Sequence, residues 1–368
     1  MLKISEEEKK ALKGRGIIMT NDGEHFVARV VSSNGVFSNA QLRALTDAAG
    51  KYGDGRIAMT TRLTVEIQGV AYENIEPLVS AVEACGLVTG GTGSVVRPVV
   101  PCKGTVCVHG LADTQAFADR IYNEFYLGWH SVKLPHKFKI GIGGCPNNCV
   151  KPGLHDFGIV GQSVPEYDED CCNACKKCSV VEKCPVHAAS TDEDGKLVID
   201  WEKCTNCGKC VGACPFDSVE EKERGFAVYI GGIWGKTQRL GTPIGGIYSE
   251  DEVMKLIEKA LLIYREQGKT GERFGRSIDR IGVENFIAQL KSDDILDRKQ
   301  EILDAKLHLS GGATCRYFTY CSHSRNRGGF YSPAVLFSPL TILFVFTNYH
   351  PPQGRISAPF AEICNCIA

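Results

Sequence analysis

The chain has 368 residues, of which 43% are hydrophobic and 23% charged, and its formal net charge is −1. That length allows two or three modest domains, and the balanced charge leaves no footprint for nucleic acid or a membrane surface. Eighteen cysteines are too many for a plain cytosolic enzyme, and the chain is too long for a small disulfide scaffold. Met1 to Lys10 carries no apolar signal core, so a cytoplasmic chain with reduced thiols is expected. Metal or cluster ligation becomes the leading use for the cysteines.

In chain order, His25 to Ser32 is rich in Val and Phe and predicts a strand. A helix follows from Ser38, an N-cap residue, with Leu42, Leu45 and Ala49 on one face. Ile57 to Thr60 and Thr64 to Ile67 predict two short strands around Thr61-Arg62-Leu63. Ile75, Leu78, Val82 and Cys85 recur at helical spacing, which makes Cys85 a core cysteine. This is a small α+β unit with helices over one sheet face. A third helix is expected from about Asp113 to Tyr126, with Phe117, Ile121 and Phe125 inward. A dense cysteine block fills 166–220, and a glycine-rich strand region starts at Gly225. A long helix from Glu250 to Gln267 turns Val253, Leu256, Ile257, Ala260, Leu261 and Tyr264 inward, and two shorter helices end near Lys306.

The segment from about Arg316 differs in composition, with no lysine and a lone acidic residue, Glu362. Its apolar run from Ala334 to Phe346 contains Pro339 and is shorter than the ~18 residues a spanning helix needs. It is expected to lie outside the evolved fold, as a read-through or out-of-frame extension, with no membrane span.

The densest motif is Cys204-x2-Cys207-x2-Cys210-x3-Cys214-Pro215, preceded by Cys172-x2-Cys175-x2-Cys178 and then Cys184-Pro185. This C-x2-C-x2-C-x3-C-P run is that of bacterial two-cluster ferredoxins, and it occurs here as an internal repeat. Three thiolates from a tight loop wrap one [4Fe–4S] cluster, and the fourth reaches across to the other. Cys172, Cys175, Cys178 and Cys214 should therefore hold one cluster, and Cys204, Cys207, Cys210 and Cys184 the second. The first run has five residues before its fourth cysteine, which lengthens a loop and removes no ligand. Structural zinc fits poorly, since zinc sites offer two separated C-x2-C knuckles for one metal.

Upstream, Cys102-x4-Cys107 and Cys145-x3-Cys149 form two further pairs. Taken alone they suit a third cluster, zinc or unrelated core thiols. Near them lie Thr60-Thr61-Arg62, Val96-Arg97-Pro98 and Leu134-Pro135-His136-Lys137-Phe138-Lys139. Lys137 and Lys139 are two apart on an expected strand and so share a face.

With these motifs in this order the sequence resembles the siroheme-dependent sulfite and nitrite reductases, above all the C subunit of anaerobic sulfite reductase and related small clostridial-type siroheme proteins. The resemblance runs over roughly 15–315, and family sequences end near a motif like Gly311 to Cys315. It implies an α+β fold. A ferredoxin-like half-domain (15–88) would join a siroheme/[4Fe–4S] domain (89–165 and 221–315) carrying an inserted 2[4Fe–4S] ferredoxin domain (166–220), with an atypical tail (316–368). It implies a cluster on Cys102, Cys107, Cys145 and Cys149, with Cys149 also bridging to the siroheme iron. Arg62, Arg97, Lys137 and Lys139 would bind the anionic substrate and the siroheme carboxylates, and Lys236 and Arg239 would join the cofactor contacts. The Cys102–Cys107 pair encloses four residues where the family has five.

The activity so implied is six-electron reduction of sulfite to sulfide, with siroheme and three [4Fe–4S] clusters. The alternatives are reduction of nitrite to ammonia and a siroheme-free, ferredoxin-like electron carrier. The implied partners are sulfite or nitrite, a flavin or iron–sulfur electron donor, and a second copy of the chain. Two-copy family members take cations and cluster from opposite halves, and this chain carries one set of each. Twelve of the eighteen cysteines are thus assigned; Cys85, Cys171, Cys315, Cys321, Cys364 and Cys366 remain.

Overall fold

The computed structural model describes residues 3–307, so the expectations for the segment after Arg316 lie outside the described residues. The amino-terminal unit opens with α1 (Glu6–Gly14), capped by the Ser5 hydroxyl, and the short strand β1 (Ile17–Met19). Strand β2 (Phe26–Val31) follows, alternating buried and half-buried residues. Helix α2 (Asn39–Tyr52) starts at a full capping box, in which Ser38 and Gln41 satisfy each other's backbone N–H groups. Leu45, Ala48 and Ala49 face the core, whereas Leu42 is 44% exposed, one helical step off the buried stripe. Strands β3 (Ile57–Met59) and β4 (Val65–Val70), helix α3 (Ile75–Ala84) and strand β5 (Val88–Thr89) complete the unit. The antiparallel sheet runs β1-β2-β4-β3, with β5 on β2. Cys85 caps α3 and is half-buried, packing against this core from its edge.

The second unit begins with β6 (Val100–Pro101) and α4 (Thr114–Ile121), whose N-cap is Asp113. The expected third helix continues as a π-helical segment, Tyr122–Leu127, which keeps Phe125 buried and brings Tyr122 onto Tyr126 with ring centroids 5.0 Å apart. These tyrosines and Val31 form a small apolar cluster between the two units. Strands β7 (Ile140–Gly143) and β8 (Phe157–Tyr167) follow. The chain then leaves the sheet for α5 (Ser179–Lys183), β9 (Ala189–Thr191) and β10 (Leu197–Ile199), and returns along β11 (Val219–Ile230) and β12 (Thr242–Pro243). The sheet order is β12-β11-β8-β7-β6, with β6–β7 and β7–β8 parallel.

Helix α6 (Glu250–Gln267) spans the expected residues, again from a capping box, at Ser249 and Glu252. Its apolar face covers the sheet together with Phe117, Phe138, Phe157 and Phe274, all 0–1% exposed. Four helices rather than two close this core: α7 (Phe274–Ile281), α8 (Val283–Lys291), α9 (Asp294–Asp297) and α10 (Lys299–Asp304). Among the described residues no helix is long and apolar enough to cross a membrane.

Candidate metal centre and anion site

Strands β6, β7 and β8 all run the same way, so their beginnings share one edge of the sheet and the ends of β6 and β7 share the other. Arg97 lies just before β6, Lys137 and Lys139 just before β7, and Asp156 just before β8. Cys102 follows β6 at once, and Cys145 follows β7 after Gly144. The sheet therefore sorts cations to one edge and thiols to the other.

At the cation edge, Val96 bridges Phe138, and the Arg97 N–H donates to the Phe138 carbonyl at 2.8 Å. Val96 and Phe138 are buried, so alternation turns Arg97, Lys137 and Lys139 to the opposite face. Arg62 arrives from the β3–β4 turn, which Thr60 and Thr64 close with a 2.6 Å hydroxyl pair. One Arg62 Nη donates to the Pro98 carbonyl, and its Nε is buried without a partner. Arg97 is held by the Gly91 and Gly93 carbonyls at 2.6 and 3.0 Å.

These cations feel one another. Burial, then Arg97, brings Arg62 down to about 10. Burial, then Arg29, does the same to Arg97. Burial, then Arg62 and Arg273, lowers Lys139 to about 8. Lys137 is lowered by burial and then by Arg273. His136 and His155 fall to about 4, by burial first and then by Lys137 and Arg62 respectively, so both are neutral near pH 7.

Four charged groups here carry no motif in the sequence. Arg29 reaches the Gly91 carbonyl and is paired with Glu66 at 2.6 Å. Arg273 and the fully buried Asp156 meet at 3.0 Å, 117 residues apart in the chain. The one local hint is His155-Asp156 placed directly before the buried run that starts at Phe157.

At the thiol edge, the Cys102 N–H donates to the Ile142 carbonyl, and the Gly144 N–H donates to Cys102 Sγ at 3.1 Å. Gly144 is required there, since a Cβ would come within 2.9 Å of Gly104 Cα. A 3-10 turn, Gly104–Val106, carries the chain to Cys107. Burial raises the Cys145 thiol, and Cys102, Cys149 and Cys107 are its electrostatic neighbours. The shortened Cys102–Cys107 pair thus still brings both thiols to Cys145, and Cys149 is exposed.

In the cysteine block, burial pushes Cys210 up to about 11, with Cys204, Cys207 and Cys184 as its electrostatic neighbours. Cys214 neighbours Cys172 instead. These two neighbour relations run in the crossed sense that the spacing predicts for Cys184 and Cys214. The backbone repeats too. Ala174 and Asn206, each second after a leading cysteine, are left-handed, as are His187 and Asp217, each third after a Cys-Pro cysteine. The Cys204–Cys210 loop also touches the sheet, as the Ser163 N–H donates to the Asn206 carbonyl at 2.9 Å. Among the described residues no three or more Cys, His, Asp or Glu side chains close on a single ion.

The residues fit the groups the resemblance implies. Cys102, Cys107 and Cys149 are neighbours of Cys145, and Cys184, Cys204 and Cys207 of Cys210, and thiols are the donors that cubane clusters use. A nest of partly desolvated cations, with the orphaned Arg62 Nε, suits a carboxylate-rich macrocycle and a small oxyanion. Of the sequence candidates, Arg62, Arg97, Lys137 and Lys139 come together. Arg239 does not join them: its fork is taken by Asp279, by Thr242 and by the Ile230, Gly231 and Leu240 carbonyls. It pins the loop after β11, and Lys236 is exposed on that loop.

Residues 92–295 match the nitrite and sulphite reductase 4Fe-4S domain, and residues 18–85 match the nitrite/sulfite reductase ferredoxin-like half domain. A coenzyme F420-dependent sulfite reductase of Methanocaldococcus jannaschii is 33% identical over 279 residues, which is 75% of this chain and 44% of that protein. The chain thus spans less than half of that relative. The C subunit of anaerobic sulfite reductase from Salmonella typhimurium is 29% identical over 242 residues, 61% of this chain and 69% of that protein. The crystal structure of dissimilatory sulfite reductase I superposes with a TM-score of 0.58 at 22% identity, over 73% of this chain and 69% of that one. The α+β fold is shared with that structure, and by the reach of the two domain matches the chain belongs to the nitrite and sulphite reductase family.

Proposed function

We propose that the chain is a siroheme-dependent reductase subunit that converts sulfite to sulfide. The observation that carries this reading is the sorting of four cations and four thiols to opposite edges of the same short parallel strands. Siroheme and the [4Fe–4S] clusters, when bound, supply the single-electron chemistry. Cys102, Cys107, Cys145 and Cys149 would hold the siroheme-coupled cluster, and the two crossed thiol sets the relay clusters. We read the set on Cys184, Cys204, Cys207 and Cys210 as the nearer relay, because the Asn206 carbonyl in its loop accepts the Ser163 N–H of β8.

The chain's own residues do the ionic work. Sulfite is strongly hydrated, so cations must replace its water, and one cation at ~4 Å offers about 4 kcal/mol at an effective dielectric near 20. Arg62 and Arg97 provide guanidinium charge for the oxyanion, Arg97 through the Nη that the Gly91 and Gly93 carbonyls leave over. Each departing oxygen needs protons to leave as water. Lys139 is matched to that task, since a donor titrating at about 8 is charged at neutral pH yet releases its proton readily.

The Lys139→Ala variant is expected to keep its siroheme bands and lose sulfite reduction driven by reduced viologen by about tenfold, with Lys137 and water as the remaining donors. Unchanged turnover would remove Lys139 from the mechanism. The visible spectrum of the wild-type chain, with iron and acid-labile sulfide counts, tests the cofactors themselves.

Cys102 lies at the end of β6 opposite the cation edge. We therefore expect two copies to pair about a two-fold axis, each offering its cations to the other's thiol set. Sedimentation of the active holoprotein should give a dimer or a multiple of it, and a fully active monomer excludes the shared site.

A further inference from the structure

Asp156 is 0% exposed beneath the cation nest. Its Oδ2 accepts the backbone N–H of Lys139 at 3.0 Å. Nη2 of Arg273 donates to both carboxylate oxygens, at 3.0 and 3.1 Å. The Asp156 carbonyl accepts the Gly231 N–H at 2.7 Å. One residue thus ties together the entry to β7, the start of α7 and the loop after β11.

The surroundings of Lys139 give that tie a chemical consequence. Arg62 faces it from the β3–β4 turn, Lys137 from its own strand, Arg273 from the start of α7, and the neutral His155 from the loop before β8. The three cations and burial all disfavour an ammonium there, and Asp156 is the neighbour that favours it. Burial pushes the Asp156 carboxyl up, and the Arg273 pair and the Lys139 N–H work against that shift, so the carboxylate depends on both contacts.

We propose that Asp156 is a positioning residue for Lys139: it fixes the Lys139 backbone against β8 and, together with Arg273, sets the charge that surrounds the Lys139 ammonium. This rests on the reading of Lys139 as a proton donor.

The test uses the full chain in two forms. In chain produced without siroheme, competitive acetylation by acetic anhydride at graded pH, with the Lys139 peptide quantified by mass spectrometry, gives the lysine's titration midpoint. In the holoprotein, the alkaline limb of viologen-driven sulfite reduction gives the same group in action. Asp156→Asn should move both midpoints down by roughly one pH unit, the size of a single close charge. Arg273→Gln should move both up, because a repelling cation is gone. Midpoints that stay put, or that move the same way in both variants, overturn the proposal. A purely structural Asp156 would not give opposite signs. Where Asp156→Asn fails to fold, Arg273→Gln decides alone: an upward shift supports the proposal, and no shift or a downward one overturns it. The acetylation arm needs no turnover, so opposite shifts in a chain that does not reduce sulfite would sink the functional reading and leave the positioning role standing.

Discussion

Arg62→Ala is expected to lower kcat/KM for sulfite by about 10²–10³-fold, the range seen when one preorganised donor to a developing anion is removed. The argument starts from the buried, unpartnered Nε of Arg62. A desolvated cationic N–H that lacks an acceptor is costly, and a shift of the guanidinium toward an arriving oxyanion relieves that cost. One Nη is already held by the Pro98 carbonyl, which fixes the direction of the guanidinium. Stability should move differently. Arg62 and Arg97 repel across a partly dry site, so removing one cation relieves strain in the empty protein. The variant's thermal midpoint should therefore equal or exceed that of the parent. Arg62→Lys keeps the charge and loses the fork, so it should recover part of the lost activity. Steady-state kinetics with reduced viologen beside thermal melts check both halves. A variant with parental kcat/KM would take Arg62 out of the site.

The cysteine block carried the most legible motif of the chain because each run is local. The repeat of the run predicts a crossed relation between its halves, and the electrostatic neighbours Cys214 with Cys172 and Cys184 with Cys204 run in that sense. Helix α6 was equally legible, since its apolar stripe is long and its caps are explicit. What failed was long-range. Asp156 and Arg273 are separated by 117 residues, and no periodicity joins them. Arg239 sits in a motif that points to the cofactor, yet the fold commits its fork to Asp279 and to loop carbonyls. Leu42 obeys helical spacing but lies on the rim, because the face that packs on the sheet is set by Leu45, Ala48 and Ala49. Local chemistry can be read from neighbours in sequence; the counter-ions of a site assembled from four distant segments cannot.

Stripping iron from the protein is expected to unfold the cysteine-rich module while leaving the two central units folded. The module has little else to hold it. Its buried apolar residues are Val180, Ala189, Leu197, Ala213 and Val219, mostly small, and Cys172, Cys178, Cys184, Cys210 and Cys214 pack against them. Its regular structure amounts to a five-residue helix and two three-residue strands. A core of that size cannot offset the entropy of ordering some 50 residues, so ligand binding must supply the balance, as it does in other small metal-held domains. The boundary of unfolding is set by the β8–β11 ladder. Its register shifts between Glu221 and Glu223, and beyond that irregularity Val219–Glu221 pair with Pro165–Tyr167 inside the module. The ladder should fray to that point and stop, because on the far side Phe226, Val228 and Ile230 are buried against the central core. Hydrogen exchange before and after chelation under reducing conditions measures this directly. Amides of Leu197 and Val219 should lose protection by several orders of magnitude, while those of Ile67 in β4 and Tyr264 in α6 keep theirs. If Leu197 stays as protected without iron as with it, the thiols are not what holds this module together, and their assignment as cluster ligands falls with it.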